Sequence, residues 1–378
     1  MRGGTSKGIY IMENELPLDH ELRNKVIRAI FGSPDVRQID GLGGADPLTS
    51  KLCIIGPPTT RDADVDYTFA QVSINTEKVD FAGNCGNLSS GVGPFAIDEG
   101  LVRSTEPITK VRIHQVNTNS LITAEVPVRN GRAAVSGEYR IDGVPGKGAK
   151  IMLDFCNTVG GVTGQLLPTG HVKDPLQVDG VGEVEVSVVD AGNPVVFLRA
   201  RDMGMNGSET PEQIESGPRL LTKFENIRGT VAQLIGLVDD KAKAKAMTPY
   251  VPFIAMISSP ADYLNYLSKE TVKASDIDIL SRLIFMQVVH KTYPITGTVC
   301  TGAAAKIPGT IVNEVLSSEG HDRPEIRIGH PAGIIRIEAT VEGSGSSAKL
   351  TRAAVARTAR RIMDGYVYVR NNIYESHF

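Results

Sequence analysis

Tryptophan is absent from this chain of 378 residues, and aromatic residues of all kinds account for only 5% of it. Proteins that stack nucleic acid bases use aromatic side chains as platforms, so this scarcity disfavours such a function. Basic blocks are also missing, and the net charge is −3. A nucleic acid partner is therefore not expected, because the phosphate backbone is bound by clustered positive charge.

Long apolar segments are missing as well. No run reaches the roughly 20 apolar residues that a membrane-spanning helix needs, and no signal peptide is recognisable. The four cysteines, Cys53, Cys85, Cys156 and Cys300, form neither a C-x-x-C pair nor a cluster with histidine at zinc spacing. These absences predict a cytoplasmic protein with reduced thiols, no membrane contact and no zinc site.

Glycine, by contrast, is abundant, with 39 residues, many of them in Gly-Gly or Gly-x-Gly pairs. Tight turns between short strands use glycine because it tolerates positive φ, so this count favours a β-rich fold. A hydrophobic content of 41% and a charged content of 22% are typical of globular proteins, and the length predicts two domains.

Apolar periodicity predicts the secondary structure. Alternating residues predict strands at 52–56, 65–74, 111–114, 121–128, 149–155, 181–189, 325–328 and 333–339. Helical spacing predicts helices at 20–31, within 211–237, at 241–246, at 274–285 and at 346–363, the last followed by a strand at 366–369.

The segment Gly83-Asn84-Cys85-Gly86-Asn87 leads into the apolar run 88–97, which is typical of a buried helix. A thiol at a helix N-terminus lies at the positive end of the helix dipole, which favours the thiolate. Free backbone N–H groups of the first turn can bind a carboxylate at the same place. The segment therefore offers a proton-transfer group and an anion site together, although a buried cysteine at a tight turn would show the same pattern.

The second half of the sequence resembles the first. Thr298-Val-Cys300-Thr-Gly-Ala again places a cysteine before a run of small residues, with predicted strands on both sides. This repetition predicts two similar halves whose helix N-termini face a shared cleft. Breaker residues between 165 and 180 indicate the boundary, so we expect domains at 1–175 and 176–378, with a C-terminal strand that could return to the first domain.

Several motifs resemble those of the PrpF family. They are Met1-Arg-Gly-Gly-Thr-Ser-Lys-Gly8, Gln38-Ile-Asp-Gly-Leu-Gly-Gly-Ala-Asp-Pro-Leu-Thr-Ser-Lys51, Asn84-Cys-Gly-Asn87 with Val92-Gly-Pro-Phe-Ala96, Thr296-Gly-Thr-Val-Cys-Thr-Gly and Gly329-His-Pro-Ala-Gly333. The first two are long and specific, and together the motifs cover nearly the whole chain. Family members usually carry about ten residues, an N-terminal strand, before the Met-Arg-Gly-Gly position, so the resemblance implies either a truncated start or a numbering that begins late. A missing strand would leave its neighbour unpaired.

The resemblance implies an α+β fold similar to diaminopimelate epimerase. Two similar domains would each be a β-sheet wrapped around a central helix, with the active site in the cleft between them. The implied function is a cofactor-independent isomerase that moves a carbon–carbon double bond in an unsaturated di- or tricarboxylate. A homo-oligomer is implied as well.

Two segments narrow the expected substrate. Asp46-Pro-Leu-Thr-Ser-Lys51 and Asp64-Val-Asp-Tyr-x-Phe-Ala-Gln71 resemble most the family's 3-methylitaconate Δ-isomerases and 4-oxalomesaconate tautomerases, and less its methylaconitate isomerases. The expected reaction is 3-methylitaconate to 2,3-dimethylmaleate. Oxalomesaconate tautomerisation and methylaconitate or aconitate isomerisation are the alternatives within the family.

In such a reaction a proton leaves a carbon next to the double bond and returns to the far end of the three-carbon unit, through a dienolate. The enzyme must supply a base, an acid and an electrostatic site for the developing charge. The resemblance assigns the proton transfers to Cys85 and Lys51, both in the first domain. Either residue could be the base, and Lys51 could also act alone with Cys85 as a polarising donor.

Further motif positions are implied to bind the substrate. Ser6 and the loop N–H groups around it would bind a carboxylate. Cys300, in the second domain, would be the second acid/base of an epimerase, but its flanking residues differ from the epimerase pattern and favour an anion contact. The complete set is Ser6, Thr49, Ser50, Asn84, Gly86, Asn87, Asn193, Thr298, Cys300, Thr301, Gly302 and His330, and Lys306 and Thr310 could line the same site.

Two other functions stay open on the sequence. A two-cysteine amino acid racemase or epimerase would use Cys85 and Cys300, and it would tolerate replacement of Lys51. A binding or accessory protein would use the cleft without chemistry. A cysteine hydrolase and a metal-dependent isomerase are disfavoured, because no histidine is placed as a base for Cys85 and no histidine–carboxylate cluster is present.

Overall fold

The computed structural model describes residues 1–81, 84–249 and 251–375. Contacts between residues divide the chain into two compact units, one made of Met1–Asn157 with Ala356–Phe378 and the other of Thr158–Val355. The division follows residue 157, earlier than the boundary expected after residue 175, and the C-terminal segment belongs to the first unit. Within the described ranges no helix is both long and apolar enough to cross a membrane.

The first unit contains a mixed β-sheet and a small separate sheet that includes β1 and β2. The strands of this unit up to the division are β1 (Arg2–Gly3), β2 (Ser6–Lys7), β3 (Ile9–Met12), β4 (Lys51–Gly56), β5 (Val65–Val72), β6 (Val79–Asp80), β7 (Ile108–Gln115), β8 (Ser120–Arg129), β9 (Arg132–Ala133) and β10 (Ile151–Asp154). Its helices in this part are α1 (His20–Phe31) and α2 (Gly86–Asp98). β3 is parallel to β4, β4 antiparallel to β5 and β5 parallel to β7, and the antiparallel strands β8 and β10 complete the series.

The second unit is built from a longer set of elements. Its strands are β11 (Asp174–Val178), β12 (Gly182–Ala191), β13 (Asn193–Arg199), β14 (Phe253–Ser258), β15 (Tyr263–Leu264), β16 (Thr271–Val272), β17 (Ile279–Phe285), β18 (Val288–Val289), β19 (Glu325–His330), β20 (Gly333–Glu342) and β21 (Lys349–Arg357). Its helices are α3 (Pro211–Glu215), α4 (Pro218–Leu234), α5 (Ala244–Met247), α6 (Ile295–Lys306), α7 (Ile311–Val315) and α8 (Ser318–Asp322). The chain then adds β22 (Ala359–Arg360) and α9 (Asn372–Glu375) to the first unit.

The second unit repeats the strand order of the first. β13 is parallel to β14, β14 antiparallel to β17 and β17 parallel to β19, followed by the antiparallel strands β20 and β21. In each unit a short hairpin strand, β6 or β18, precedes a helix that is buried along most of its length, α2 or α6. The predicted α+β fold, with two similar halves and a sheet around a central helix in each, is confirmed.

Two predicted helices are strands instead. Residues 274–276 form a 3₁₀ turn and β17 follows, because Ile279-Leu-Ser-Arg-Leu-Ile-Phe285 is a buried apolar run short enough for either structure. Ala353-Ala-Val-Ala356 lies in β21, where pairing with β20 outweighs the helix preference of alanine. The strand predicted at 366–369 is also wrong, since the described residues 361–370 have no regular structure.

Strand β4 is buried on both faces, and the two faces differ in chemistry. Leu52 and Ile54 pack with Ile27 of α1 in one hydrophobic cluster. Lys51 and Cys53 alternate with them along the strand, so their side chains point to the opposite face. The α1 side of the sheet is thus an ordinary apolar core, while polar and thiol groups collect on the other side.

Candidate active site

Helix α2 places Cys85 at its start. The helix begins at Gly86, and Cys85 is the half-buried N-cap residue, whose side chain makes no capping hydrogen bond within the described ranges. Backbone N–H groups of the first turn therefore end next to the thiol. The helix predicted to follow Cys85 is confirmed, and Gly83 of the same motif lies outside the described residues.

Gly91 lets helix α2 approach the sheet closely. A Cβ at this position would overlap the hydroxyl group of Tyr10 on β3. That hydroxyl donates a hydrogen bond to the carbonyl oxygen of Leu88, one turn from the start of the helix. The close contact holds the N-terminal end of α2, and Cys85 with it, against the sheet.

Behind Cys85 lies a wall of three protonated groups. Tyr10 pairs with Cys53 across β3 and β4, and the Cys53 Sγ atom lies 3.9 Å from the Tyr67 hydroxyl. Burial raises the pKa of Cys53, Tyr67 and Tyr10, and the neighbouring Cys85 raises each of them further. Cys85 is half-buried whereas Cys53 is fully buried, so Cys85 is the thiol of this pair that a ligand can reach.

Lys51 begins β4, and its ammonium group is held from two sides. Nζ donates to Gln71 Oε1 at 2.8 Å and lies 5.2 Å from the centroid of the Phe69 ring. Gln71 stands opposite Lys51 in the strand register, and its amide nitrogen donates to the carbonyl oxygens of Ser50 at 2.9 Å and Pro47 at 3.1 Å. These bonds turn the amide oxygen toward Lys51, a role that the sequence analysis did not assign to Gln71.

Lys51 and Cys85 share one face of the first unit's sheet. The Lys51 side chain points the same way as Cys53, two residues along β4, and Cys53 neighbours Cys85. Lys51 is only 9% exposed, and among the described residues no carboxylate pairs with it. The ammonium group of Lys51 is thus shielded from most of the solvent and bound to a neutral acceptor.

The loop before β4 is held by Gln38, which fixes the position of Lys51 along the chain. Its Nε2 donates to Ser50 Oγ at 2.8 Å, and its Oε1 accepts from the Ala45 N–H at 2.9 Å. Ser50 is fully buried and donates in turn to the Val72 carbonyl at 2.9 Å. Thr49 is half-buried and donates to a carbonyl of the same loop. The hydroxyl groups of Ser50 and Thr49, both predicted substrate contacts, thus support the loop.

Among the described residues, the buried side-chain atoms of the first unit without a hydrogen-bond partner belong to Ser6, Asn84 and Arg361. The two oxygen atoms of this set are Ser6 Oγ and Asn84 Oδ1, and Ser6 is only 3% exposed. Leaving such an atom unpaired costs about 1–3 kcal/mol, so each marks a place where a ligand would supply the missing bond. Both residues are predicted substrate contacts, and Asn84 directly precedes Cys85.

Asn87, in the first turn of α2, connects two other segments. Its Oδ1 accepts from the Thr5 N–H at 3.4 Å and from Arg357 Nε at 3.3 Å. Arg357 ends β21, and its Nη1 donates to the Ala356 carbonyl at 2.8 Å. Burial lowers the pKa of Arg357 to about 10, and no described carboxylate forms an ion pair with it. The sequence analysis missed Arg357, since it lies in none of the motifs.

Cys300 belongs to the second unit and does not precede a helix, so that prediction is wrong. Helix α6 begins at Ile295, with Pro294 as its N-cap, and Cys300 lies in the second turn. It is fully buried, and its Sγ donates to the Val189 carbonyl at 3.0 Å. Burial raises the pKa of Cys300. Pro294 occupies the position that Cys85 has in the first unit, and proline has no proton to transfer.

The neighbouring predicted contacts in α6 are interior residues as well. Thr298 donates to a carbonyl of the preceding turn, Thr301 shares a hydrogen bond with a buried tyrosine hydroxyl, and Gly302 faces an isoleucine side chain. Asn193 differs, because it is half-buried and its Nδ2 donates to Thr296 Oγ1 at 3.2 Å, at the start of α6. Of these four residues, only Asn193 is half-buried, and it lies beside the first turn of α6.

The last three candidates in the second unit have internal partners. His330 ends β19, is 7% exposed, and its Nδ1 accepts from the Ala332 N–H at 3.2 Å. Thr310 is the N-cap of α7 and also donates to the Ala304 carbonyl at 2.6 Å. Lys306 donates to three backbone carbonyls between 320 and 323. Their bonds stabilise the second unit.

The first unit therefore combines a proton-transfer face with unpaired polar atoms. Cys85 and Lys51 carry a thiol and an ammonium group on that face, and Ser6, Asn84 and the N-terminus of α2 carry hydrogen-bond donors and acceptors. Gly86, the first residue of α2, contributes a backbone N–H to that end. In the described part of the chain, no group of three or more histidine, cysteine, aspartate or glutamate side chains could hold a metal ion.

Comparison with known proteins gives matches over nearly the full length. The family model for the PrpF protein matches residues 1–370. The chain is 54% identical over 369 residues to a 3-methylitaconate isomerase of Eubacterium barkeri, covering 98% of this chain and 96% of the relative. A 4-oxalomesaconate tautomerase of Pseudomonas putida is 39% identical over 98% of this chain and 94% of the relative. A crystal structure of a methylitaconate-delta-isomerase superposes with a TM-score of 0.93 at 54% identity, covering 98% of this chain and 95% of that one.

Proposed function

This chain belongs to the PrpF family, and we propose that it is a cofactor-independent isomerase that converts 3-methylitaconate to 2,3-dimethylmaleate. The matches to the family model and to known isomerases confirm the family and the isomerase class predicted from the sequence motifs. The choice of substrate is supported by 54% identity to a 3-methylitaconate isomerase, against 39% to a 4-oxalomesaconate tautomerase. The cytoplasmic location and the homo-oligomeric state expected from the sequence stay predictions.

One observation carries the proposal: a shielded lysine without a carboxylate partner lies on the same face as an accessible cysteine at a helix start. In the reaction, a proton leaves the carbon that bears a methyl group and a carboxylate. The double bond moves by one position, and a proton is added to the terminal CH₂ group, which becomes a methyl group. Cys85 and Lys51 share these two transfers, one removing the proton and the other delivering it.

The dienolate formed between the two transfers carries its negative charge into the adjacent carboxylate. Charge of this kind is stabilised by donors that are already oriented before the reaction. The N–H groups at the start of α2, with the positive end of its dipole, lie next to Cys85. Among the described residues, Ser6 Oγ and Asn84 Oδ1 are buried and have no hydrogen-bond partner, so the Ser6 hydroxyl and the Asn84 amide can bind the substrate without first breaking bonds of those atoms.

The competing two-cysteine mechanism has less support from the structure. It would require Cys300 to exchange a proton with a ligand. Cys300 is fully buried within α6, and its thiol already donates to the Val189 carbonyl. We therefore assign the second proton transfer to Lys51, whose ammonium group contacts the Gln71 amide and the Phe69 ring and, within the described ranges, no carboxylate.

The proposal is tested by incubating the enzyme with a panel of unsaturated acids and following each by proton NMR. The panel holds 3-methylitaconate, 4-oxalomesaconate, aconitate and, for the racemase alternative, several L-amino acids. We expect turnover of 3-methylitaconate, a loss of about 100-fold or more in Lys51→Met, and near wild-type rates in Cys300→Ser. Turnover of none of the acids would contradict the enzyme assignment, and an inactive Cys300→Ser beside an active Lys51→Met would favour the racemase.

A further inference from the structure

We propose that Arg357 is the residue that selects dicarboxylates, by binding the substrate carboxylate that takes no part in the proton transfer. This inference rests on the proposed function and adds a residue to it that none of the sequence motifs contains. The ligand class it implies is an acid with two carboxylates held close together, as on neighbouring carbons of a short chain.

The guanidinium group of Arg357 has an unusual set of partners, because none of those described is a carboxylate. Its Nε is bound by the neutral Asn87 side chain and its Nη1 by the Ala356 carbonyl. Within the described ranges no carboxylate forms an ion pair with the guanidinium group, and no protein group accepts from Nη2. Arg357 is half-buried, and a charge that loses part of its water without gaining an opposite charge is costly. An anionic ligand would supply the missing partner and could bind the free edge of the guanidinium group.

Arg357 lies beside the first turn of α2. Asn87 joins it to the first turn of α2 and to the Thr5 N–H, so the guanidinium group stands beside the loop that carries Ser6. Ser6 is only 3% exposed to solvent, and its Oγ has no hydrogen-bond partner among the described residues. A helix N-terminus, a free guanidinium edge and an unpaired hydroxyl thus meet around one loop, and each of them favours a carboxylate.

Arg357 lies apart from the two residues proposed to transfer protons. The proton-transfer pair belongs to the face of β4 that carries Lys51 and Cys53, next to Cys85. Arg357 instead contacts Asn87, which is two positions further along the chain and is turned toward the Gly4–Thr5 loop. A charge placed there anchors the substrate equally well before and during the reaction. Its removal should therefore raise KM and leave kcat nearly unchanged.

The test compares Arg357→Gln, Arg357→Lys and Asn87→Asp with the wild type. Asn87→Asp nearly preserves shape but places a carboxylate 3.3 Å from the arginine Nε, so the protein itself would neutralise the guanidinium group. An aspartate in the first turn of a helix is favourable, so weaker substrate binding in this variant cannot be ascribed to a destabilised fold. Arg360→Gln is the control, because Arg360 is an exposed arginine three residues further along.

Two measurements are made on each variant: kcat and KM for 3-methylitaconate, and the affinity for 2,3-dimethylmaleate by calorimetry. We expect Arg357→Gln and Asn87→Asp to raise KM and to weaken binding by about tenfold or more, with kcat within a small factor of the wild type. Arg357→Lys should fall between them and the wild type, and Arg360→Gln should match the wild type.

Wild-type KM and affinity in both Arg357→Gln and Asn87→Asp would overturn the inference while leaving the isomerase intact. A collapse of kcat with unchanged KM would also overturn it, since Arg357 would then act on the reacting atoms. If the wild type turns over no unsaturated acid, the proposed function fails separately. The calorimetric comparison with 2,3-dimethylmaleate then still decides whether Arg357 binds a dicarboxylate.

Discussion

The amide of Gln71 has its oxygen toward Lys51 because its nitrogen is bound by the carbonyls of Ser50 and Pro47. A neutral acceptor of this kind positions the ammonium group without holding its proton strongly. Replacing the Gln71 amide by a carboxylate therefore tests whether Lys51 must release a proton. The strand register makes the substitution geometrically simple, since Lys51 and Gln71 are paired directly across β4 and β5.

We predict that Gln71→Glu lowers kcat by about tenfold or more, because the new carboxylate stabilises the ammonium form in a poorly screened site. The activity should recover as the pH is raised, since a higher pH favours loss of that proton. The check is the pH dependence of kcat for the variant and the wild type. Gln177→Glu, on the exposed face of β11, is the matched control. Identical pH profiles for Gln71→Glu and the wild type would contradict a proton-transfer role for Lys51.

At the residue scale, local motifs lead to Lys51, Cys85, Ser6 and Asn84. They assign no role to Gln71, which ends the motif at 64–71, and they do not contain Arg357. The role of Gln71 depends on which residue pairs with Lys51 across two strands. That of Arg357 depends on a late segment that returns to the first unit and meets Asn87. Neither fact is encoded near the residue itself, so a single sequence does not reveal it.

At the scale of elements, the site depends on how closely the Gly3-Gly4 turn meets the start of α2. Gly4 has a φ of +51°, and a Cβ there would overlap Asn87 Oδ1. The turn holds Thr5 against Asn87 and so fixes where Ser6 stands. The first motif of the sequence is thus explained by a close approach of loop and helix.

We predict that Gly4→Ala lowers kcat/KM for 3-methylitaconate by about tenfold or more, because the turn must move away from α2. Gly146→Ala is the control, since Gly146 also has a positive φ, of +80°, but an added Cβ would contact nothing within 4 Å. Both variants should lose about 1–2 kcal/mol of stability from backbone strain. Steady-state kinetics and thermal unfolding separate the two effects. An equal loss of activity in both variants would count against the specific contact with Asn87.

The same scale shows where sequence periodicity succeeds. Helix α1 spans the predicted residues, with an aspartate N-cap and a C-terminal glycine, and its apolar stripe packs on β4. Periodicity fails for β17 and β21, because both are buried strands whose residues suit a helix equally well. Pairing with neighbouring strands decides their structure, and that information is not local.

At the scale of the whole molecule, the two units repeat one topology but differ in chemistry. Cys85 is the N-cap of α2, whereas Cys300 lies in the second turn of α6, with proline at the equivalent cap. The sequence shows two cysteines before small residues and so suggests symmetry. It does not show where each helix begins, and that start decides which thiol a substrate can reach.

The second unit also contains an ionic cluster that bears on the stability of the whole chain. Asp278 is fully buried and accepts from Arg327, Arg323 and Ser317. Burial by itself would raise the pKa of Asp278, but these hydrogen bonds outweigh it and lower the pKa to about 2, from an ordinary value of 3.8. A lowered folded-state pKa gives stability that is present above the ordinary value and lost as the pH falls toward 2.

We predict that Asp278→Asn costs about 3 kcal/mol or more of unfolding free energy at pH 7, since it leaves two arginines without their buried carboxylate and with only the exposed Glu319 as an anionic partner among the described residues. The difference between wild type and variant should shrink as the pH falls from 4 toward 2, where the wild-type carboxylate becomes protonated. Urea unfolding of the full chain at several pH values measures it. The exposed Asp276→Asn serves as the control. A difference that stays constant from pH 7 to pH 3 would refute the assignment.

We propose that Cys85 and Lys51 move a proton along a three-carbon unit of a dicarboxylate, and proton NMR of 3-methylitaconate with enzyme in deuterated water tests this. We expect 2,3-dimethylmaleate with deuterium in a methyl group, slow exchange of the proton on the allylic carbon with the solvent, and loss of both in Lys51→Met. Formation of the product without any solvent deuterium in the wild type, or full exchange in Lys51→Met together with none in Cys300→Ser, would contradict it.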